Sequence, residues 1–297
     1  MVENSSLVTR RSSLSMSAPA KINWFLTING KREDGYHDIN SLMQSISLYD
    51  DLAFERSDRI EVISDLDIPP ENNLVYKAAA ILKGFSSSKE GARITVKKNI
   101  PVSAGLGGGS SDAAYTLLGL NRLWGLGLKN PELIGIGQEI GSDVPFFLNG
   151  PLAFISGRGE KIRTIKINSS LEFLLVKPPI SISTSWAYKT YDGKNTGELT
   201  KNPVDIKLFC RALQRKDFAS LSLMIKNDLE SVVFEGYPVV EDIKVRLLKE
   251  GAKISSMSGS GPTVFAVFDS YNIAESAARS MKSFIPGAWC MLVKTIT

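Results

Sequence analysis

The chain has 297 residues, of which 43% are hydrophobic and 22% are charged, and its formal net charge is +4. This balance is typical of a folded globular protein and excludes a fibrous or low-complexity chain. The positive excess is small and is not gathered into Lys/Arg blocks, so charge gives no reason to expect a nucleic-acid partner. Two cysteines, Cys210 and Cys290, and the single histidine His37 are too few for a disulfide framework or a Cys/His metal site.

The N-terminal segment, residues 1–17, is rich in serine and contains Glu3, Arg10 and Arg11 but no hydrophobic stretch. We therefore expect no secretory signal and interpret residues 1–17 as a flexible leader. No apolar run approaches the roughly 18 residues that a membrane span needs, so no membrane partner is expected. A reducing, cytoplasmic location follows as the default, and both a monomer and a homodimer remain open.

Short apolar strands alternate with amphipathic helices along the chain, which predicts an α+β protein. Strands are predicted near residues 22–28, 39–48, 60–63, 92–96, 152–155, 173–176, 263–268 and 288–293. Helices are predicted at residues 74–85, 112–124, 131–139, 204–213, 239–250 and 273–283. Glycines and charges interrupt this pattern at 150–166, so we predict two domains, at residues 18–158 and 159–297.

A glycine-rich segment lies directly before the predicted helix at 112–124. Glycines allow backbone N–H groups to turn toward one point, and the start of a helix adds unpaired N–H groups and a positive dipole end. The segment therefore predicts a phosphate cradle for a nucleotide triphosphate, although an ordinary glycine-rich turn is the alternative. Neither the dinucleotide fingerprint nor the Walker loop is present. The predicted nucleotide-binding residues are Pro101, Val102, Ser103, Ala104, Gly105, Leu106, Gly107, Gly108, Gly109, Ser110, Ser111 and Lys98.

Polar residues at both ends of this segment have more than one interpretation. Ser110 and Ser111 could cap the helix, contact phosphate oxygens or hold Mg²⁺. Asp112 is interpreted as a first-turn carboxylate that compensates the helix dipole. Lys97 and Lys98 are candidate neighbours of an adenosine, but a solvated strand end explains them equally well.

Three further segments contain candidate functional residues. Lys21 and Asn23 share one face of the first predicted strand, where the lysine is either functional or simply solvated. Asp143 precedes Pro145 and is either a helix cap or a catalytic carboxylate. The polar segment 258–263 is either a plain helix-to-strand connection or a second wall of the site.

In these regions the chain resembles the GHMP small-molecule kinases. The segments that carry the resemblance are 19–23, 30–37, 105–114, 141–147 and 258–263, and the similarity extends from about Ser17 to near the C-terminus. The Gly35-Tyr36-His37 element resembles the branch that phosphorylates 4-diphosphocytidyl-2-C-methyl-D-erythritol. Homoserine, mevalonate and galactose kinases share the glycine loop but not that triplet.

The resemblance implies a two-domain kinase with an N-terminal domain like ribosomal protein S5 domain 2, a ferredoxin-like C-terminal domain and a site between them. ATP, with Mg²⁺, would phosphorylate the 2-hydroxyl of diphosphocytidyl methylerythritol, a small-molecule substrate of the non-mevalonate route to isoprenoid precursors. Two alternatives are a homoserine- or mevalonate-type GHMP kinase and a non-catalytic nucleotide-binding regulator.

The resemblance also implies roles for individual residues. Asp143 would be the general base, and Lys21 would keep it ionised and stabilise the charge that develops during transfer. Tyr36 and Tyr188 would stack on the two sides of the cytosine, with Trp186 as an alternative to Tyr188, although the residues alone also allow Tyr36 and His37 to be an ordinary turn. The predicted substrate-binding residues are Asn23, Tyr36, His37, Asp143, Thr184 and Tyr188; the metal ligands remain unassigned.

Overall fold

The structure is a computed structural model that describes residues 13–66, 68–86, 89–194 and 204–297. Its strands are β1 Leu14–Lys31, β2 His37–Ser57, β3 Glu61–Ser64, β4 Gly91–Lys97, β5 Leu152–Gly157, β6 Lys161–Thr164, β7 Glu172–Lys177, β8 Ile254–Met257, β9 Val264–Val267 and β10 Trp289–Lys294. Its helices are α1 Leu74–Ser86, α2 Gly108–Leu123, α3 Asn130–Ile140, α4 Val144–Asn149, α5 Thr184–Lys194, α6 Ile206–Arg215, α7 Phe218–Met224, α8 Glu230–Gly236, α9 Pro238–Lys249 and α10 Tyr271–Phe284. Within the described ranges, no helix combines the length and the hydropathy of a bilayer span.

The first sheet is built around the long antiparallel pair of β1 and β2. Its strand order is β3-β4-β2-β5-β6, with β1 also paired to β2. The pairing of β1 with β2 runs from Leu14 opposite Phe54 to Lys31 opposite His37. The helices α1 to α4 cover one face of this sheet and share a hydrophobic core with it. Helix α2, which follows the glycine loop, packs against both β1 and β2.

The second sheet is antiparallel, in the order β10-β7-β9-β8. Side chains alternate along its central strand β7 because successive residues of a strand point to opposite faces. Phe173 and Leu175 enter a core shared with the first sheet, whereas Leu174 and Val176 enter a core closed by α9 and α10. The second sheet is therefore buried on both faces.

A cluster of aromatic rings joins the two sheets. Trp24 of β1 makes edge-on contacts with Phe173, Phe209 and Phe265, at ring-centroid distances of 5.2, 6.0 and 5.9 Å. Such contacts add to the burial of large apolar rings in holding elements together. Because Trp24 is fixed in this core, alternation turns Lys21 toward the opposite side of β1.

The α+β class predicted from the sequence is confirmed. The leader prediction is wrong for Leu14–Ser17, because these residues belong to β1 and pair with β2. The rest of the predicted leader, residues 1–12, lies outside the described residues. Strand β6 still belongs to the first sheet, which therefore extends beyond residue 158. The position of the domain boundary stays a prediction.

The elements that the sequence analysis missed are β6, β8, α5, α7 and α8, and of α4 it indicated only the start, before Pro145. All except α5 are seven residues or shorter, too short to show a clear hydrophobic period. Helix α5 is longer, but Ala187 is its one buried residue in the described part, so it has no apolar stripe. Helix α2 begins at Gly108 rather than at Asp112, because its first turn is made of the glycines and serines that were interpreted as loop.

Candidate active site

A cavity of ≈ 430 Å³ lies where β1, the glycine loop, the start of α4, α5 and the 258–261 segment meet. Most of the predicted site residues line it. From the predicted set these are Lys21, Asn23, Lys98, Pro101, Val102, Ser103, Ala104, Gly105, Leu106, Gly107, Gly108, Gly109, Ser110, Asp143, Thr184 and Tyr188, and they are joined by Asp112, Gly259 and Ser260. Tyr36, His37 and Ser111 are not among the lining residues.

The glycine loop requires glycine at two positions for two independent reasons. Gly105 and Gly107 have φ angles of 74° and 71°, in the left-handed region that side chains disfavour. A Cβ on Gly107 would also lie 2.9 Å from Lys21 Cγ, and one on Gly105 would overlap the carbonyl oxygen of Ser258. These glycines therefore let the loop lie directly against the lysine and against the 258–261 segment.

The N-terminal turn of α2 faces the cavity with backbone N–H groups. Its first bond of the helical type runs from Ser111 N–H to the Gly107 carbonyl, so the preceding N–H groups of the turn are free of helix partners. Free N–H groups of this kind and the positive end of the helix dipole both favour an anion over a cation at this position. The N-cap is Gly107, and neither Ser110 nor Ser111 caps the helix. Ser111 is fully buried, and its Oγ has no hydrogen-bond partner among the described residues.

Lys21 is a buried cation with a relative exposure of 4%. Its Nζ donates a hydrogen bond of 2.6 Å to Asn23 Oδ1 and lies 3.6 Å from Asp143 Oδ2. Asn23 is held in turn by its Nδ2, which donates to Ser41 Oγ at 2.8 Å. Burial lowers the pKa of Lys21, and the nearby Asp143 carboxylate opposes that shift. The solvated-lysine alternative for Lys21 does not fit this environment.

Asp143 occupies the N-cap position of α4, yet its side chain makes no capping hydrogen bond. Pro145 lies in the first turn of that helix, as predicted. The Asp143 side chain keeps 31% of its surface exposed and lines the cavity beside Lys21. Because the Asp143 carboxylate does not cap the helix, it is free to contact a molecule bound in the cavity.

A charged cluster that the sequence analysis missed lies beneath the glycine loop. Lys98 Nζ donates to Asp112 Oδ2 at 2.6 Å and also to Asp50. Asp50 Oδ1 accepts the backbone N–H groups of Asn99 and Ile100 at 2.6 and 2.8 Å. The interpretation of Asp112 as a carboxylate that only compensates the helix dipole is therefore wrong. Asp112 is buried in an ion-pair cluster that ties β2 and the end of β4 to α2.

The two carboxylates of this cluster share one ammonium group. Burial raises the pKa of Asp112 to about 7; Lys98 opposes that shift and Asp50 adds to it. Burial works against a charged Lys98 as well, but Asp112 and Asp50 raise its pKa above the ordinary value. The sequence contained a signal for Asp50, since in a strand it shares one face with Leu48 and Leu52, both of which are buried.

The predicted base-binding residues are only partly brought together. His37 is stacked on Tyr188 with ring centroids 4.9 Å apart, and its Nε2 lies 2.6 Å from Asp192 Oδ1. Tyr36 is half exposed and lies under the guanidinium of Arg158, at 3.9 Å. The sequence analysis did not find Asp192, because a carboxylate 155 residues from its histidine leaves no local signal.

The two residues of α5 chosen from the sequence both face the cavity. Thr184 Oγ1 and Ser260 Oγ share a hydrogen bond of 2.8 Å, which connects α5 to the 258–261 segment. Burial, with a contribution from Asp143, raises the pKa of the Tyr188 phenol, so it stays protonated at neutral pH. Trp186, the alternative to Tyr188, packs instead against Tyr237 at a centroid distance of 5.0 Å.

In the described part of the chain, no three His, Cys, Asp or Glu side chains gather into a metal site. Of the two serines considered as Mg²⁺ ligands, Ser110 lines the cavity, whereas Ser111 is buried and is not among the lining residues. The Mg²⁺ ligands therefore stay unassigned.

Two family profiles match the chain. The profile of the GHMP kinases N terminal domain matches residues 73–151, and the GHMP kinases C terminal profile matches residues 209–287. A protein of Thermodesulfovibrio yellowstonii named 4-diphosphocytidyl-2-C-methyl-D-erythritol kinase is 47% identical over 285 residues, which cover 95% of this chain and 98% of the relative. A protein of the same name from Pelobacter propionicus is 42% identical over 91% of this chain and 94% of its own length.

Solved structures agree with these matches. A crystal structure of 4-(cytidine 5'-diphospho)-2C-methyl-D-erythritol kinase superimposes with a TM-score of 0.79 and 30% identity, covering 94% of this chain and 99% of that one. A homoserine kinase from Cytophaga hutchinsonii superimposes with a TM-score of 0.72 at 19% identity, covering 99% of this chain and 98% of that one. At that identity the second match shows a shared fold only.

The Asp112 environment predicts how stability depends on pH. The pKa of Asp112 rises from an ordinary 3.8 to about 7 in the folded chain, so the folded state binds this proton more tightly than the unfolded state does. The stability that comes from this proton is present below pH 3.8 and is lost as the pH rises toward 7. We expect the wild type to lose stability relative to Asp112→Asn across that window, in urea unfolding measured at each pH.

The control for this prediction is Glu139→Gln, which removes an exposed helix carboxylate. Its free energy of unfolding is measured over the same pH range, so that the effect of removing a helix carboxylate in general can be subtracted from that of Asp112→Asn. A difference in unfolding free energy between the wild type and Asp112→Asn that does not change with pH would contradict the assigned environment of Asp112.

Proposed function

The chain belongs to the GHMP kinase family, and from this we propose that it transfers the γ-phosphoryl group of ATP to the 2-hydroxyl of 4-diphosphocytidyl-2-C-methyl-D-erythritol. The products would be ADP and the 2-phosphate, a step of the non-mevalonate route to isoprenoid precursors. The observation that carries the proposal is the buried Lys21 ammonium, 3.6 Å from the Asp143 carboxylate and beside the start of α2. Relatives up to 47% identical over nearly the whole chain carry that kinase name.

The phosphates of ATP are proposed to bind at the glycine loop. Their oxygens would accept the N–H groups of the first turn of α2, where the helix dipole also favours negative charge. Lys98 borders this position, but both carboxylates of its cluster already engage its ammonium. Mg²⁺ would neutralise phosphate charge, with its ligands drawn mainly from the phosphates and water.

Lys21 and Asp143 are proposed to act on the acceptor hydroxyl. Asp143 would take its proton as the oxygen attacks the γ-phosphorus, a role that contributes on the order of 10²–10⁴-fold to the rate. Lys21 would stabilise the negative charge on the transferring group, and its burial strengthens that interaction because little water competes. Positioning and electrostatics supply most of the acceleration in phosphoryl transfer, which suits a site with one base and one cation.

The cytidine end of the acceptor is proposed to bind near α5. Tyr188 lines the cavity and would present its aromatic ring to a base, and His37, which does not line the cavity, supports Tyr188 by stacking on that ring. Asp192 fixes the His37 ring by its contact with Nε2. Tyr36 would supply the second face if its ring leaves Arg158 and turns toward the base. A monomeric or dimeric state and a cytoplasmic location stay predictions from the sequence.

The acceptor is tested by ADP release in a coupled assay with ATP and Mg²⁺. We expect turnover with diphosphocytidyl methylerythritol and none above background with homoserine, mevalonate or galactose. Turnover confined to one of the other alcohols would contradict the proposed substrate and the assignment of Tyr36 and His37. ATP binding without turnover of any acceptor would favour the regulator alternative.

The base is tested by Asp143→Asn. We expect kcat to fall by about 10²–10⁴-fold, because the amide cannot accept the hydroxyl proton. ATP affinity measured by calorimetry should change little, since the phosphates bind the start of α2. The exposed carboxylate variant Asp242→Asn serves as the control and should keep wild-type turnover. An Asp143→Asn protein that retains wild-type kcat would rule out Asp143 as the base.

A further inference from the structure

The segment from Lys226 to Glu230 connects β1 with the 258–261 segment, although the sequence analysis assigned it no role. Its main chain runs beside β1: Leu26 N–H donates to Lys226 O at 2.8 Å, and Asp228 N–H donates to Leu26 O at 2.9 Å. Asp228 Oδ2 also accepts the N–H of Ile28 at 2.8 Å. The segment is thus fixed to the strand that carries Lys21.

The side chain of Asn227 points the other way, to the end of β8. Its Nδ2 donates to the carbonyl oxygens of Met257 and Gly259, both at 2.8 Å, and its Oδ1 accepts the Leu229 N–H at 3.1 Å. Both hydrogens of the amide are therefore used, and the side chain is 95% buried, with a relative exposure of 5%. The two carbonyls flank Ser258, so one amide fixes the chain on both sides of that residue.

Glu230 also contacts the end of β8, through groups that Asn227 does not bind. Its Oε1 accepts the Met257 N–H at 2.9 Å and the Ser256 hydroxyl at 3.0 Å. Lys244 Nζ contacts the second carboxylate oxygen at 2.6 Å. Asn227 and Glu230 together therefore fix the backbone of Met257 at both its carbonyl and its N–H.

The 258–261 segment, in turn, lies against the proposed catalytic residues. A Cβ on Gly259 would be 3.2 Å from Lys21 Nζ and 3.3 Å from Asn23 Oδ1, so this backbone closes one side of the lysine. Ser258 Oγ donates to Gly105 O at 3.0 Å, which joins the segment to the glycine loop. This backbone therefore contributes to the burial of the Lys21 ammonium.

We propose that Asn227 is a positioning residue, which holds the 258–261 segment against Lys21 and the glycine loop and so keeps the Lys21 ammonium aligned with Asp143. Asn227 does not line the cavity, and it acts through Gly259 and Met257. The kinetic consequence rests on the proposed function, whereas the placement of the segment does not.

Asn227→Asp tests the proposal because it preserves shape and removes the donor. A carboxylate oxygen would face two carbonyl oxygens, so the segment should move away from Lys21. We expect kcat to fall by about 10²-fold, as a displacement of about 1 Å can cause in a positioned reaction. KM for ATP should change much less, because the N–H groups of α2 that bind phosphate remain. Asn227→Ala, which removes the donor without adding charge, should show a smaller loss of kcat in the same direction.

Asn121→Asp is the matched control. Asn121 fixes a loop in a similar way, with Nδ2 donating to Leu128 O at 2.9 Å and Oδ1 accepting the Leu128 N–H at 3.0 Å, but it does not line the cavity. A purely structural loss should lower the melting temperature of both aspartate variants and leave kcat per folded molecule unchanged. If Asn227 has the positioning role, kcat falls in the Asn227 variants and stays unchanged in Asn121→Asp.

Hydrogen exchange read by mass spectrometry supplies a measurement that needs no acceptor. Faster exchange in peptides covering 257–263 for Asn227→Asp and Asn227→Ala, but not for Asn121→Asp, supports the proposal. Unchanged exchange there, or wild-type kcat with faster exchange, overturns it. If the wild type does not turn over the proposed acceptor, the proposed function fails, and the exchange result alone still decides whether Asn227 holds the segment.

Discussion

A buried ammonium group is the constraint on which the site depends. Burial of a charge is costly unless partners compensate it, and Lys21 has two: Asn23 on its own strand and Asp143 at the start of α4. The strand that carries Lys21 is fixed by Trp24, on its opposite face, whose ring packs against two phenylalanines of the second sheet and one of α6. The lysine is therefore held by the same core that joins the two sheets.

Two neighbouring backbone segments have glycine where they lie close to the Lys21 ammonium. Gly107 lacks a side chain where one would collide with Lys21, and Gly259 brings its backbone to the other side of the ammonium. The cluster of Asp50, Lys98 and Asp112 anchors the glycine loop from below. Phosphoryl transfer depends mainly on positioned charge, so a site of this kind needs rigid backbone around one cation and one carboxylate more than it needs many catalytic groups.

Sequence reasoning succeeded where the signal was local. Period-two alternation placed Lys21 and Asn23 on one face, where the structure has them in contact, and the glycine run was recognised directly before an apolar helix, where it lines the cavity. Asp143 had two local interpretations, and the resemblance to GHMP kinases favoured the catalytic one. In the structure Asp143 makes no capping hydrogen bond and lies beside Lys21, which supports the catalytic role as a proposal.

What the sequence did not reveal depends on contacts between distant parts of the chain. Asp192 meets His37 and Asn227 meets Gly259 across long stretches of sequence, and each is an unremarkable polar residue in its own segment. Asp112 was misinterpreted because a carboxylate in a first helical turn usually compensates the dipole in solvent, and only the packing of β2 shows that it is buried. Partners of this kind need tertiary structure.

The most direct measurement is the titration of the Lys21 ammonium by NMR with ¹⁵N-labelled lysine, in the wild type and in Asp143→Asn. Because burial lowers the pKa of Lys21 and Asp143 opposes that shift, we expect a wild-type pKa below the ordinary 10.5 and a still lower one in the variant. An ordinary pKa in the wild type, or no further decrease when the carboxylate is removed, would contradict a buried lysine held in place by Asp143.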